Sequence, residues 1–350
     1  MRDTKPHPAS ISRTPIAIAV VLLVLLLGGM LIVVARTAAR AAREPRLGVP
    51  GVPPGGMNEA DMTQTIEDAR RLSDGGDFGK ASAMLAAVIA RRADRQDLRL
   101  AYAQSLIGEK RWEDALRQLE AALAIGPDLP AIYFDAGTVA NAADKIERSE
   151  ELYAIAQQKE PTQARHPLYL GMVQIKQGKT GPGTASLVRA VTLDPNLAEA
   201  WGTLAEVSLR DNEPRLAIQH AQRARTIQPK AVRWRLVEAR ALKRLGKPEE
   251  AATLLLALEK GARRDSGIME TLAECYGMLS RPHDAAVMYG EAFTDDPRGE
   301  WARLAAVWFE RDGDAERALS FARLAADCGD PTAAELVRRL ETPIMPHDGG

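Results

Sequence analysis

The hydrophobic and polar positions between residues 62 and 331 recur with a period of 34 residues. Prolines mark this period, because each follows the previous one by 34 residues or, in the last case, by twice 34: Pro127, Pro161, Pro195, Pro229 and Pro297. With each proline at position 32, the segment divides into eight units that start near residues 62, 96, 130, 164, 198, 232, 266 and 299. A fixed period of this length predicts stacked copies of one supersecondary element.

Small residues occupy two further positions of every unit. Position 8 is Ala or Gly in all eight units, and position 20 is Ala, Ser or Gly. Two helices approach closely only where one presents a small side chain to the other, so these positions predict a packed helix pair in each unit. Position 15 is often glycine and position 17 often proline, which suits a turn followed by a new helix. The turn residues are Gly76, Gly178, Gly246, Gly313, Pro214, Pro248 and Pro282.

This set of positions resembles the tetratricopeptide repeat family over about 270 residues, 62–331. The resemblance implies an all-α fold, a right-handed α-solenoid of about eight helix pairs. Units one and six depart from the pattern at position 7, where Asp68 and Glu238 replace an apolar residue, and unit six has Arg263 in place of the proline. Residues 332–341 predict an amphipathic helix that caps the apolar end of unit eight.

An apolar run without charge or proline covers the 20 residues from Ile16 to Ala35. A helix of that length spans a bilayer, so we expect one transmembrane helix at 16–35, after a basic N-terminal tail at 1–15. The alternative is a cleaved secretory signal, although such signals have a shorter apolar stretch. Cations flank the run almost equally, and the short basic tail favours a single-pass membrane protein with its soluble domain on the non-cytoplasmic side.

The sequence predicts two unstructured segments, a linker and a C-terminal tail. Residues 36–61 include the sequence EPRLGVPGVPPGG, which is typical of a linker between an anchor and a folded domain. Residues 342–350 are also rich in proline and glycine, and we expect a disordered tail there.

Composition excludes several classes of function. The chain has 46 Lys+Arg and 47 Asp+Glu and a net charge of -1, so it lacks the basic excess of nucleic-acid binding proteins. Two cysteines and scattered histidines do not form a metal site, and we expect His166, His220 and His283 at the surface. Gly178-Lys179-Thr180 is no phosphate loop, since Val173 stands where that loop needs a glycine. We predict a non-catalytic protein without cofactor, metal or small-molecule substrate.

In the resembled family the first helix of each unit lines a concave groove that binds peptide, and the resemblance places positions 5, 9 and 12 in it. In the N-terminal half of this groove several of these positions are apolar, which predicts a peptide-binding surface. The alternative is that the same side chains pack against one another or against the next unit. The residues concerned are Leu100, Ile107, Phe134, Leu168, Met172 and Ile175.

The C-terminal half of the groove is charged instead. Position 9 runs Glu206, Arg240, Glu274 in successive units, and this alternation of sign favours a ladder of ion pairs between units. The alternative is a basic site that grips an acidic side chain or a C-terminal carboxylate. Family members that bind chaperone tails use lysine at position 5 with asparagine at position 9, which no unit has. The cations of the candidate site are Arg233, Arg240, Lys243 and Arg244.

The sequence therefore predicts a membrane-anchored scaffold or assembly factor that binds a peptide or protein segment. One alternative is a co-chaperone or docking platform that faces the cytoplasm. Another is a non-catalytic subunit of an envelope biogenesis or secretion complex. Both rest on analogy with the family rather than on a site in this chain.

Overall fold

The computed structural model describes residues 58–258 and 261–342, without the side chain of Arg263. The described residues fall into two units that divide between Thr65 and Ile66. The expected tail at 1–15, the expected transmembrane helix at 16–35, most of the linker and the C-terminal tail lie outside the described residues. Among the described residues, every helix is too short or too polar to cross a membrane.

The described part of the chain contains 17 α-helices, one short 3₁₀ turn and no β-strand. The 3₁₀ turn covers Ala262–Arg264. In chain order the helices are α1 (Glu59–Asp74), α2 (Phe78–Ile89), α3 (Gln96–Gly108), α4 (Trp112–Ile125), α5 (Pro130–Ala142), α6 (Ile146–Lys159), α7 (Arg165–Lys176), α8 (Thr180–Leu193), α9 (Ala198–Arg210), α10 (Pro214–Ile227), α11 (Val232–Arg244), α12 (Pro248–Leu256), α13 (Ser266–Met278), α14 (Pro282–Asp295), α15 (Gly299–Asp312), α16 (Ala315–Asp327) and α17 (Ala333–Glu341).

The predicted all-helical repeat solenoid is confirmed. Each helix from α3 to α16 packs against the next one along the chain. Odd-numbered helices from α3 to α15 begin within one residue of the start of a 34-residue unit, and the following even-numbered helix completes the pair. The final helix, α17, packs on α16 and buries Ala333 and Leu336 there.

Small residues allow the two helices of a pair to approach closely. In unit four, a Cβ added to Gly171 would lie 2.9 Å from the carbonyl oxygen of Gly183. In unit three, the hydroxyl of Ser149 donates to the carbonyl oxygen of Gly137 at 2.7 Å. Positions 8 and 20 therefore face each other across the pair, and only small side chains fit between the two backbones.

Unit six departs from the regular pair. Helix α12 has nine residues, whereas α10 and α14 have 14 each, and the 3₁₀ turn at Ala262–Arg264 precedes α13. Its unusual Glu238 is only 3% exposed. The Gln222 amide donates to Glu238 Oε1 at 2.8 Å, and Arg225 Nε lies 3.0 Å from Oε2. The carboxylate at position 7 is thus buried with a cation and a donor beside it, as burial of a charge requires.

Candidate peptide-binding groove

The first helices of neighbouring pairs form one continuous surface. Helix α7 contacts α9, α9 contacts α11, and α11 contacts α13. We call the solvent-facing side of this row the groove and define it by Tyr169, Met172, Glu206, Arg240 and Glu270. Helix geometry sets which side chains reach it, because residues three or four apart share one face.

An aromatic cluster supports the α7 end of the groove. The ring centroid of Phe134 lies 5.4 Å from that of Tyr153 and 5.1 Å from that of Tyr169, which it meets edge-on. Tyr153 and Tyr169 are 5.7 Å apart. Phe134 and Tyr153 are buried, whereas Tyr169 and Met172 are each 38% exposed. We call these four residues the aromatic patch, which presents a ring and a thioether to solvent on a packed base.

Polar groups around the aromatic patch hold it in place. The Tyr153 hydroxyl donates to Thr138 Oγ1 at 3.0 Å, and burial raises the pKa of Tyr153, so the phenol stays protonated as that donor. The guanidinium carbon of Arg165 lies 4.3 Å from the Phe134 ring centroid. Burial also raises the pKa of the nearby Asp135 carboxyl, and Arg165 opposes that shift.

The expected surface position of His166 is wrong. Its side chain is fully buried, and its ring centroid lies 5.5 Å from that of Phe134. Nδ1 is 3.4 Å from the Glu160 carbonyl oxygen, and Nε2 has no hydrogen-bond partner. Burial lowers the pKa of His166 because the neutral imidazole is favoured where water is excluded. Its position in the first turn of α7 points it towards the preceding unit rather than to solvent.

The apolar residues assigned to the groove from sequence differ in exposure. Phe134 and Leu168 are buried, and Met172 alone of the six is exposed. Three of the six are half-buried and pack against core side chains of their own and neighbouring units, as the packing alternative expects: Leu100, Ile107 and Ile175. Sequence analysis missed Tyr169, at position 6. The sequence did contain a signal for Tyr169, because this aromatic residue precedes Met172 by three positions and therefore shares its helix face.

The charged half of the groove contains an open pocket of about 520 Å³. We call it the charged pocket, and its lining comprises Glu206, Leu209, Arg210, Val237, Arg240, Lys243, Arg244, Glu270 and Glu274. Ion pairs do link successive units here, as the ladder interpretation expects. Lys243 pairs with Glu274, and Arg233 pairs with Glu199. Arg244 donates to the Leu209 carbonyl oxygen, so three of the four predicted cations are already engaged within the protein.

Arg240 is the exception to the ladder. Its only hydrogen bond among the described residues is a long one, from Nε to Thr271 Oγ1 at 3.4 Å. Neither Glu206 nor Glu274 forms an ion pair with it in the described part of the chain, so the expected Glu206–Arg240–Glu274 ladder is wrong at its centre. A Cβ added to Gly267 would lie 3.0 Å from Arg240 Nη2, which shows that the guanidinium lies against the start of α13.

Three further side chains of the charged pocket have no ion-pair partner among the described residues: Arg210, Glu206 and Glu270. Surrounding protein atoms raise the pKa of the Glu206 carboxyl by excluding water, and the Arg233 charge opposes this most strongly. The side chain of Glu206 nevertheless remains accessible from the groove. The pocket therefore presents two cations and two carboxylates that an incoming ligand can meet.

A smaller pocket joins the two halves of the groove. It measures about 270 Å³ and is lined by Ile175, Thr203, Glu206, Val207 and Arg210. Glu206 and Arg210 also line the charged pocket. Ile175 lies about one turn beyond Met172 on α7. The two pockets therefore share part of their lining, which extends from Ile175 on α7 to Glu274 on α13.

Groups suited to metal binding or nucleophilic chemistry are sparse in the described residues. Within 58–258 and 261–342, no three His, Cys, Asp or Glu side chains come together as a metal site. Cys275 is buried, and burial raises the pKa of its thiol to about 11. A thiol with that pKa is protonated at neutral pH and is a poor nucleophile.

Two sequence models match parts of the chain. The model described as a tetratricopeptide repeat matches residues 72–133. The model described as the N-terminal TPR repeats region of Psidin matches residues 208–310. No curated protein matches the chain by sequence.

Several solved structures are similar in fold. A tetratricopeptide repeat protein from Parabacteroides merdae has a TM-score of 0.54 and 18% identity, over 71% of this chain and 99% of that one. PilF of Pseudomonas aeruginosa has a TM-score of 0.51 and 18% identity, over 61% and 96%. A chain of the APC/C hetero-tetramer Cut9-Hcn1 has a TM-score of 0.51 and 10% identity, over 81% and 56%. At such low identities the likeness shows the fold alone.

Proposed function

We propose that this chain, which is a tetratricopeptide-repeat protein, is a non-catalytic scaffold that binds an extended segment of a partner protein in its groove. Repeats of this family are protein-interaction scaffolds. The observation that carries the proposal is the aromatic patch, where Tyr169 and Met172 are each 38% exposed on a buried aromatic base. Rigid aromatic side chains contribute large contact area at low entropic cost, which makes them frequent centres of protein interfaces.

The shape of the groove favours an extended segment over a small ligand. The surface from Ile175 to Glu274 crosses four first helices and is open along its length. A segment lying in it contacts an apolar patch first and charged side chains afterwards. Such a ligand gains affinity from several modest contacts rather than from one enclosed site.

The finer proposal concerns the membrane. The uncharged run at 16–35 supports a single-pass anchor, and the basic tail before it supports a soluble domain on the non-cytoplasmic side. The Pro/Gly-rich linker expected at 36–61 would tether the repeats to that anchor. In that location the protein serves as an assembly factor for proteins at the membrane.

Site-specific photo-crosslinking tests the groove. The full chain carries p-benzoylphenylalanine at Met172 in one sample and at Val188, a 48% exposed residue of α8, in the matched control. We expect protein adducts at position 172 that are absent at 188, and their loss when Tyr169→Ala is added. Equal adducts at both positions, or none at 172, contradict binding in the groove.

Topology reporters test the location of the domain. A phosphatase fused after residue 342 is active only outside the cytoplasm, and a fluorescent protein that folds only inside is the matched reporter. We expect phosphatase activity. Fluorescence without phosphatase activity supports the cytoplasm-facing co-chaperone or docking platform instead, and a protein that is soluble after lysis contradicts the anchor.

A further inference from the structure

One residue from each first helix forms a row along the groove. Position 9 is Met172 on α7, Glu206 on α9, Arg240 on α11 and Glu274 on α13. Glu274 is already paired with Lys243. Its neighbour one turn earlier, Glu270, lines the same pocket and has no ion-pair partner among the described residues. The groups open to a ligand are therefore apolar, negative, positive and negative, in that order.

The negative and positive groups of this row do not neutralise each other. Glu206 and Arg240 belong to adjacent helices, yet no ion pair joins them within the described part of the chain. Arg240 is instead drawn towards α13, where it contacts Thr271 and lies against Gly267. Because neither side chain forms an ion pair among the described residues, each can take up an opposite charge from a ligand without breaking an existing one.

The spacing of the helices fixes the spacing of the ligand's side chains. Packed helices lie about 8–10 Å apart, and an extended chain advances about 3.3 Å per residue. A segment that crosses the row therefore passes from one first helix to the next in about three residues. Side chains that meet successive helices fall at every third position of the segment.

We propose that the groove selects an extended segment in which an apolar residue, a basic residue, an acidic residue and a second basic residue follow one another at intervals of three. The apolar residue lies on Tyr169 and Met172. The first basic residue meets Glu206, the acidic residue meets Arg240, and the second basic residue meets Glu270. This inference rests on the proposed function, since it specifies which partner segment the same groove binds.

Synthetic peptides test the pattern directly. The matched peptide is fluorescein-labelled Leu-Ser-Ser-Lys-Ser-Ser-Asp-Ser-Ser-Lys, together with its reverse, because the segment can run in either direction. The neutral control has serine at all three charged places, and the spacing control has the same composition with Lys, Asp and Lys adjacent. Fluorescence anisotropy with the full chain in detergent micelles measures each affinity.

We expect the matched peptide, in one of its two directions, to bind about tenfold tighter than both controls, from three partly exposed ion pairs of modest strength. Arg240→Gln removes about threefold of that affinity and leaves binding of the neutral control unchanged. A charge exchange, Glu206→Arg with Arg240→Glu, then favours a peptide in which the first Lys and the Asp have changed places. Circular dichroism of each variant verifies that it remains folded.

Equal affinity for the matched peptides and the spacing control overturns the inference. Failure of every peptide to bind below about 1 mM also overturns it. The proposed function is judged separately by crosslinking at Met172. A neutral peptide that binds and is weakened by Tyr169→Ala, with no effect of charge, leaves the proposed function standing and refutes only the charge pattern.

Discussion

The indole ring of Trp234 fills the space in which a side chain at Gly202 would lie. A Cβ built on Gly202 would overlap the six-membered ring of Trp234, which is only 2% exposed. Gly202 is on α9 and Trp234 on α11, so this contact joins the first helices of two successive units. Trp234 can therefore pack in this place only because residue 202 of the preceding unit is glycine and has no side chain.

Replacing Gly202 by alanine should destabilise the solenoid at this junction. The added methyl group forces the Trp234 ring out of its packed position, and overpacking of this kind costs about 1–3 kcal/mol. Chemical denaturation followed by circular dichroism measures the loss. The matched control is Gly181→Ala in the first turn of α8, where an added Cβ meets nothing within 4 Å. We expect no loss there, and a Gly202→Ala protein as stable as wild type contradicts the packing.

The sequence predicted the helix pairs well because the period fixes them. Small residues occupy positions 8 and 20 in every unit, and these positions face each other in units three and four, so they report directly on helix packing. The pairing of Gly202 with Trp234 has a counterpart at Gly277 and Trp308, but at other positions of the unit, and the pairing of Glu238 with Arg225 involves position 7, where most units are apolar, so no column of the repeat revealed them. The contacts of Gly202 with Trp234 and of Arg225 with Glu238 join residues that are 32 and 13 positions apart in the sequence, and only the structure shows that they meet.

The groove was harder to predict than the fold. One residue along a helix turns a side chain by about 100°, since a turn holds 3.6 residues. This rotation is enough to bury Leu168 and to expose its neighbour Tyr169. The family positions assigned to the groove therefore did not separate a core side chain from an exposed one on the same helix.

Every turn between the two helices of a pair adopts the left-handed conformation at position 15. Glycine provides it in four units, but Lys110, Asp144, Asn212 and Ser280 adopt it in the others, with φ between 56° and 62°. A residue with a Cβ is strained there by about 1 kcal/mol, whereas Asn and Asp tolerate it better. We therefore expect Ser280→Gly and Lys110→Gly each to stabilise the protein by up to about 1 kcal/mol.

Two comparisons verify this prediction in thermal denaturation. Asn212→Gly should change the midpoint temperature less than Ser280→Gly does, because asparagine already suits the conformation. Gly246→Ala, at a φ of 72°, should lower it. A Ser280→Gly protein less stable than wild type contradicts the prediction that backbone strain at this turn lowers the stability of the protein.

The buried pair of Arg225 and Glu238 should show strong coupling. Arg225→Met leaves the Glu238 carboxylate buried without its cation, and we expect a loss of about 2–3 kcal/mol. The second substitution Glu238→Leu restores the apolar residue usual at position 7 and should recover most of that loss. A double-mutant cycle by urea denaturation measures the coupling. The exposed pair Arg281–Asp284 is the matched control, with a coupling below about 1 kcal/mol, and additive losses at Arg225 and Glu238 contradict the prediction.

Acidification should loosen the aromatic patch through His166. Burial lowers the pKa of His166 below its ordinary 6.5, so the unfolded chain takes up a proton near pH 6.5 and the folded chain only at lower pH. Between these two values the unfolded state binds more protons, and stability falls as the pH decreases. Above pH 6.5 the full contribution of the neutral ring remains. His220, whose pKa burial also lowers, contributes in the same direction.

The charges around His166 decide how strong this effect is. Arg165 disfavours the imidazolium. The Glu160 carboxylate, 3.9 Å from Nε2, favours it, but by less than burial opposes it.

We expect the midpoint temperature of the full chain to fall between pH 7 and pH 5. His166→Asn keeps a donor towards the Glu160 carbonyl oxygen but cannot take up the proton, so its decrease should be smaller. Because Phe134 lies on His166 and supports Tyr169, crosslinking at Met172 should weaken over the same pH range in wild type and persist in His166→Asn. Parallel profiles in wild type and His166→Asn contradict this account.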